Sequence, residues 1–260
     1  MLKNQRQLEI VEILKAEGFA TVTSLSERLF ASLPTIRRDL TALETSGYVK
    51  RCHGGAMIVD GGSGSPIHFR LEKRIQEKTN MCQVAAELIS DGDVLFVDGS
   101  STVFRISDYL SSRKKVTVVT NSHLATERFA RAGASIYSTG GKLLYESFVF
   151  VGSTAESAVE RYSADLLFFS VAAISEDGVL SDWSEEERDL RLKMVKNARC
   201  KVFLFDSGKI GKRFAFKLFP ISELDYLITD KPLSSSLISQ YSLELVKSEP
   251  AYLYKCGKRW

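Results

Sequence analysis

From Leu8 to Leu43 apolar residues recur three and four positions apart, a pattern that predicts three short helices in succession. Leu8, Val11, Ile13 and Leu14 give the first an apolar side, Leu25 and Leu29 face inward on a second that Thr23 caps, and Ile36, Leu40 and Leu43 share one face of the third. Ser32 opens the third helix by accepting a hydrogen bond from the Thr35 N–H, Pro34 sits in its first turn, where a missing donor costs nothing, and Gly47 closes it. The period then shortens. Residues 48–51 read as a strand, 52–55 as a turn and 56–59 as a returning strand, so the first stretch predicts a winged helix-turn-helix.

The run 60–66, Asp-Gly-Gly-Ser-Gly-Ser-Pro, can neither pack nor hold regular structure. It divides the chain into a head at 1–59, a linker at 60–67 and a second domain at 68–260. That domain begins with a long helix carrying Met81, Val84, Ala85, Leu88 and Ile89. Apolar runs at 94–97, 116–119, 134–137, 166–171, 202–205 and 226–228 then alternate with amphipathic stretches, the signature of a largely parallel sheet covered by helices. Residues 243–246 and 252–254 add a last strand or serve self-association.

On the third helix the apolar stripe leaves Thr35, Arg37, Arg38 and Thr41 on the remaining surface. A guanidinium fork fits guanine O6 and N7 or a phosphate, and Asp39 is expected to orient these arginines rather than to read bases. An isolated Arg-Arg pair more often only keeps a helix soluble. Here Lys50 and Arg51 on the wing add charge where a phosphate backbone would pass, and His53 in the turn joins them.

In parallel sheets ligands gather beyond the carboxyl ends of strands. The residues there are small and polar: Asp98, Gly99, Ser100, Ser101 and Thr102 after the first run, Thr120, Asn121 and Ser122 after the second, Gly140 and Gly141 after the third, and Ser207, Gly208 and Lys209 later. Hydroxyls and open backbone N–H groups where a helix begins suit a phosphate, and Lys209 adds a full charge. Any one of these loops taken alone reads as an ordinary cap or turn; several at equivalent strand ends make a pocket.

The first sixty residues resemble the DNA-binding domain of the DeoR family of bacterial transcription regulators. The likeness is carried by Arg6, Ile10 and Leu14, by the run 35–40 (Thr-Ile-Arg-Arg-Asp-Leu), and by Leu43, Arg51, His53, Gly54, Gly55 and Ala56. Residues 68–232 resemble that family's sensor domain, which is similar in fold to ribose-5-phosphate isomerase. There it rests on Asp98, Ser101, Thr102, the run 118–122, Gly140, Gly141, the run 150–152, Glu187, Met194, Asp206, Ser207, Lys209 and the run 228–230. The resemblance implies an α/β sensor that binds phosphorylated sugars. It also implies glycine at Ser100, where this chain carries a side chain that changes how closely the backbone approaches a phosphate.

At 260 residues with 44% hydrophobic composition the chain can bury two cores, and a net charge of +3 confines nucleic-acid attraction to local patches. Cys52, Cys82, Cys200 and Cys256 lie far apart, and His68 and His123 lack ligand spacing, which argues against zinc, a disulfide framework or any metal cofactor. The polar start carries no signal-peptide core and no apolar run would cross a membrane, so a cytoplasmic protein is expected. A sugar-phosphate isomerase is the competing reading, but it needs a carboxylate base where this chain has residues 170–174, Ser-Val-Ala-Ala-Ile; Glu176 and Asp177 fall in a turn, Glu185, Glu186 and Glu187 suit a helix start, and Trp183 packs on the fold. The expectation is a DNA-binding regulator, a repressor of carbohydrate-metabolism genes. It would act as a dimer or tetramer on an operator duplex and be controlled by a phosphorylated sugar, without catalytic residues.

Overall fold

A computed structural model describes residues 5–52, 54–58 and 67–257, with Lys15, His68 and Phe69 as backbone only. His53, Val59 and most of the expected linker lie outside the described residues. The chain divides into two compact units, Met1–Lys73 and Arg74–Trp260.

The first unit comprises α1 (Gln5–Glu17), β1 (Phe19–Thr21), α2 (Val22–Arg28), α3 (Leu33–Thr45), β2 (Val49–Cys52), β3 (Gly55–Ile58) and α4 (Ile67–Glu72). β2 and β3 form the wing. β1, a strand too short for apolar patterning to reveal, pairs antiparallel with β3 in the order β1-β3-β2. Ile10, Val11, Leu14, Leu25, Ile36, Leu40, Leu43 and Val49 form its core. Two expectations need correction. Leu8 is 45% exposed because the buried face of α1 runs through Gln7, Ile10, Val11 and Leu14, and Leu8 is one step out of phase with it. Thr21, not Thr23, caps α2, accepting from the Ser24 N–H at 3.0 Å once β1 has ended. The cap of α3 is as expected: Ser32 accepts from the Thr35 N–H at 3.4 Å, with Pro34 in the first turn.

The long helix expected after the linker is two helices. Arg74 adopts a left-handed backbone (φ 53°), which separates α4 from α5 (Ile75–Ala86) at the division between the units. The second unit continues with β4 (Val94–Val97), a 3-10 turn at Val103–Tyr109, β5 (Thr117–Thr120), α6 (His123–Arg131), β6 (Ser135–Ser138), β7 (Lys142–Leu144), β8 (Val149–Val151) and α7 (Ser153–Val159). Then come β9 (Ala164–Phe169), β10 (Ala173–Ile174), β11 (Val179–Asp182), α8 (Glu185–Lys196), β12 (Ala198–Phe205), β13 (Phe216–Pro220), β14 (Tyr226–Thr229), α9 (Ser235–Tyr241), β15 (Leu243–Lys247) and β16 (Tyr252–Cys256).

An eight-stranded sheet in the order β15-β16-β14-β12-β9-β4-β5-β6 organises this unit. From β14 to β6 all pairings are parallel, and β16 and β15 close one edge antiparallel. The tail thus supplies the expected strand. Both faces are covered, one around Phe96, Leu167, Phe169, Phe203 and Leu227, the other around Leu95, Val97, Phe168, Val202 and Leu204. This is why the strands read as continuous apolar runs. The smaller sheets β10-β11-β13 and β7-β8 flank it. Gly99 has no room for a side chain, since a Cβ there would meet Val149 Cγ1 at 1.9 Å. β8 therefore fixes the loop after β4.

Leu40 is fully buried between α3 and the rest of the first unit's core. Leu40→Ala should destabilise that unit by about 2–5 kcal/mol. In urea unfolding of the whole chain, the transition of the first unit moves to lower denaturant while that of the second unit stays in place.

Candidate nucleic-acid interface and anion site

On the head, Ile36, Asp39, Leu40 and Leu43 occupy the buried face of α3, leaving Ser32, Arg37, Arg38 and Thr41 exposed and Thr35 half-buried. No carboxylate among the described residues pairs with Arg37 or Arg38. Asp39 does not orient them: residues one and two positions apart on a helix do not face each other. Its carboxylate is buried and accepts from Arg6 Nε at 2.5 Å and Gln7 Nε2 at 3.5 Å, tying α3 to α1. The hydrogen bond to Asp39, aided by charge attraction, raises the Arg6 guanidinium above its ordinary value. The wing is fastened to the same helix. Arg51 donates its backbone N–H to Glu44 Oε1 at 2.9 Å and Nη1 to Thr41 Oγ1 at 3.0 Å, while the Thr41 hydroxyl donates to the Arg37 carbonyl at 2.9 Å. Arg51 and Thr41 are thereby brought together, and Lys50 stays exposed beside them on β2.

In the second unit the residues singled out around β4, β5, β6 and β12 lie at or beyond the carboxyl ends of parallel strands, Thr120 being the last residue of β5. Asp98 is buried and structurally committed. Oδ1 accepts from the Ser100 N–H at 3.0 Å, and Oδ2 accepts from the Ser170 N–H at 3.3 Å and from Arg191 Nε at 3.1 Å. Arg191, on α8, also donates Nη1 to Asp182 Oδ2 at 2.7 Å, with Glu187 Oε2 at 3.9 Å. Burial works against the charge on Arg191, but Asp182, Asp98 and Glu187 outweigh it and raise the guanidinium further above its ordinary range.

Two ammonium groups reach the same loops. Lys209 Nζ donates to Ser170 Oγ at 2.7 Å, and the buried Lys78 of α5 donates Nζ to Ser101 Oγ at 3.0 Å. The Ser100 and Ser170 N–H groups both donate to Asp98, which ties Lys209 and Ser170 to the Asp98–Arg191 cluster, while Lys78 separately holds the Ser101 hydroxyl in the loop after β4. Ser100 has an ordinary backbone, so the absent glycine is not forced by a positive φ, and its Oγ accepts from the Val103 N–H at 3.5 Å. Thr120 Oγ1 donates to the Val97 carbonyl at 2.7 Å, Ser122 caps α6, and Asn121 Nδ2 donates to Phe150 O at 3.2 Å while its Oδ1 is buried without a hydrogen-bond partner. Thr139, just before Gly140 and Gly141, donates its N–H to the Thr120 carbonyl at 3.0 Å, and Gly141 (φ 111°) is held against the Val151 carbonyl. Arg74 bridges Asp206 and Asp230 at 3.3 and 3.4 Å.

Sequence reasoning missed Lys78, Ser170 and Arg191 as parts of this site. The signal was present: Lys78 stands in phase with Met81, Cys82 and Ala85, and Arg191 with Glu187, Leu190 and Met194, each a charge on an apolar stripe. Cys82 lies behind the loop, donating Sγ–H to Thr102 O at 3.0 Å, and burial pushes its thiol up to about 12. No group of three metal-ligating side chains occurs among the described residues. No helix among them is long and apolar enough to cross a membrane.

A winged helix-turn-helix with an unobstructed arginine pair, followed by an α/β unit with polar loops along one sheet edge, defines a DNA-binding transcriptional regulator with a sensor domain. The family model of a DeoR-like helix-turn-helix domain matches residues 6–61, and that of a DeoR C-terminal sensor domain matches residues 73–231. The chain belongs to the DeoR family of transcriptional regulators. Its relatives include the HTH-type transcriptional regulator GolR of Listeria innocua, 30% identical over 93% of this chain and 96% of that protein. The HTH-type transcriptional repressor GlcR of Bacillus subtilis is 31% identical over 96% and 98%, and the glycerol-3-phosphate regulon repressor of Escherichia coli 27% over 89% and 92%. Ribose 5-phosphate isomerase A of Methanocaldococcus jannaschii aligns with 51% of this chain and 53% of its own at 17% identity, with a TM-score of 0.39. The curated relatives are regulators, and this chain is a regulator rather than an isomerase.

Arg191→Met should leave Asp98 and Asp182 buried without their counter-charge and cost about 3–5 kcal/mol of sensor-unit stability. The readout is the sensor transition in urea unfolding; a change within experimental error would show that the buried network does not hold this site together.

Proposed function

We propose that the chain represses carbohydrate-metabolism genes by binding an operator as a homo-oligomer, a dimer or tetramer in the cytoplasm, and that a phosphorylated sugar metabolite held by the sensor loops changes that binding. The observation that carries this reading is that Lys78 and Lys209 donate to the hydroxyls of Ser101 and Ser170, in the loops that follow the adjacent parallel strands β4 and β9 at the carboxyl edge of the sheet. Two cations, several hydroxyls and the backbone donors of the loop after β4 form a donor-rich site of the kind a phosphate monoester needs. Asp98, Ser100, Ser101, Thr102, Thr120, Asn121, Ser122, Gly140, Gly141 and Lys209 form its lining, with the sugar toward Asn121 and the glycines. The name of the Escherichia coli relative ties that protein to a phosphorylated polyol, which agrees with the chemistry proposed for this site.

On the DNA side, Arg37 and Arg38 read base edges, while Ser32, Thr35, Thr41, Lys50, Arg51 and His53 position the head on phosphates. A single winged helix buries too little surface to single out a rare genomic site, so paired half-sites and at least two copies are required. Effector binding alters operator affinity only through a difference in its affinity for the DNA-competent and DNA-incompetent arrangements.

Arg37→Ala or Arg38→Ala should cost about 1–3 kcal/mol of operator affinity wherever the arginine makes a bidentate bond to a base, measured by fluorescence anisotropy at fixed salt. In a thermal-shift panel, phosphorylated sugars should stabilise the sensor unit and their unphosphorylated counterparts should not, with about 2.7 kcal/mol expected at a hundredfold excess over Kd. Lys209→Ala should abolish the shift and leave operator binding by unliganded protein intact. Equal sugar-phosphate affinity for both proteins by calorimetry would exclude Lys209 from the site.

A further inference from the structure

Phe30 lies in the turn between α2 and α3 and is 97% exposed, so its ring packs against nothing in the fold. It also holds a left-handed backbone, φ 49°, a conformation that strains a side-chain-bearing L-residue and that glycine or asparagine would take more easily. The turn does not depend on the ring. Ser26 Oγ donates to the Ala31 carbonyl at 2.5 Å, the Ala31 N–H donates to the Ser26 carbonyl at 3.1 Å, and Ser32 caps α3. Folding therefore gains nothing from an aromatic residue that strains the backbone and exposes apolar surface.

On the other side of the cap, Leu33, the first residue of α3, is 39% exposed and Pro34 is exposed as well. Phe30, Leu33 and Pro34 thus make an apolar tip at the amino end of the helix that carries Arg37 and Arg38. In helix-turn-helix docking that end meets base edges. In the major groove, the C5-methyl group of thymine is the apolar feature that base pairs offer.

We propose that Phe30 and Leu33 read thymine methyl groups in the operator, which makes them specificity-determining residues beside the arginines. A duplex is the occupant because the tip is continuous with Ser32 and Thr35 and is followed by four exposed cations, Arg37, Arg38, Lys50 and Arg51, whose complement is a phosphate-lined surface. The inference rests on α3 being the groove helix.

The test uses the full chain and a duplex recovered by binding selection from random-sequence DNA, in which each thymine is replaced in turn by deoxyuridine. Wild type should lose about fourfold in affinity for each methyl it touches, the worth of one buried CH2 group. Phe30→Ser and Leu33→Ser should weaken binding to the thymine duplex and between them abolish the response to methyl removal. Because the ring packs on nothing, Phe30→Ser should melt no lower than wild type; Phe30→Asn, which tolerates the left-handed turn, serves as a second probe. Wild-type indifference to every methyl, or full methyl sensitivity kept by both variants, would overturn the proposal. So would loss of self-association by Phe30→Ser in sedimentation velocity with DNA methyl sensitivity intact, which would make the tip a surface between copies. Arg37→Ala and Arg38→Ala run in parallel separate the two readings: if both bind as wild type, the groove-helix assignment itself falls.

Discussion

Arg191 is the residue on which the sensor unit's site depends. Its guanidinium is shared by Asp98, at the end of β4, and Asp182, at the end of β11, with side-chain exposures of 6%, 3% and 4%. Moving such ions out of water costs several kcal/mol each, so the arrangement persists only because all three charges are paired and hydrogen-bonded. The consequence extends past stability. A carboxylate locked by Arg191 takes the N–H groups of both Ser100 and Ser170, and the Ser170 hydroxyl in turn receives Lys209. The positions of the donors at the sheet edge are thus set by a buried charge cluster that does not itself need to touch a ligand. Donors fixed beforehand lower the ordering cost of capturing a small anion.

The head uses the same device on a smaller scale. Asp39, buried on α3, pairs with Arg6 of α1, while its neighbours Arg37 and Arg38 project outward. One carboxylate beside the arginine pair fixes which way the helix is rotated and so which side chains project outward. Arg51 adds a second fastening through Thr41 and Glu44, setting the wing relative to that surface. Asp–Arg pairs with a buried carboxylate therefore define the geometry of the surfaces beside them.

What is legible in the sequence follows from how much apolar pattern each element carries. The central strands of the large sheet, β4, β9, β14 and the second half of β12, are buried apolar runs, and the pattern places them within a few residues. Strands such as β1, β7 and β10, two or three residues long, have no period to detect. The long helix expected after the linker breaks at Arg74 because a left-handed residue leaves no compositional mark when it is not glycine. On α1 the apolar Leu8 suggests a phase that the polar Gln7, which lies on the buried face, contradicts. The small polar loops are legible because the carboxyl ends of parallel strands are a general place to look. Arg191 and Lys78 are not, because a basic residue in a helix is by habit assigned to solvent, and their phase with Met194 and with Met81 and Cys82 is the feature that contradicts it.

The energetics bound what such a sensor can do. The head's core is built from residues 10–58 alone and the sensor's from its own strands and helices, so each unit has an independent source of stability. Under the proposed control, an effector in the sensor loops would act by favouring one of two arrangements of the protein. Moving an equilibrium from 1:99 to 99:1 takes about 5.5 kcal/mol of differential binding, more than the roughly 2.7 kcal/mol that a hundredfold saturation contributes at one site. At that saturation a single proposed loop site would yield a partial response. A sharper one would follow if several copies added their ligands, the multiplicity already proposed for paired half-sites.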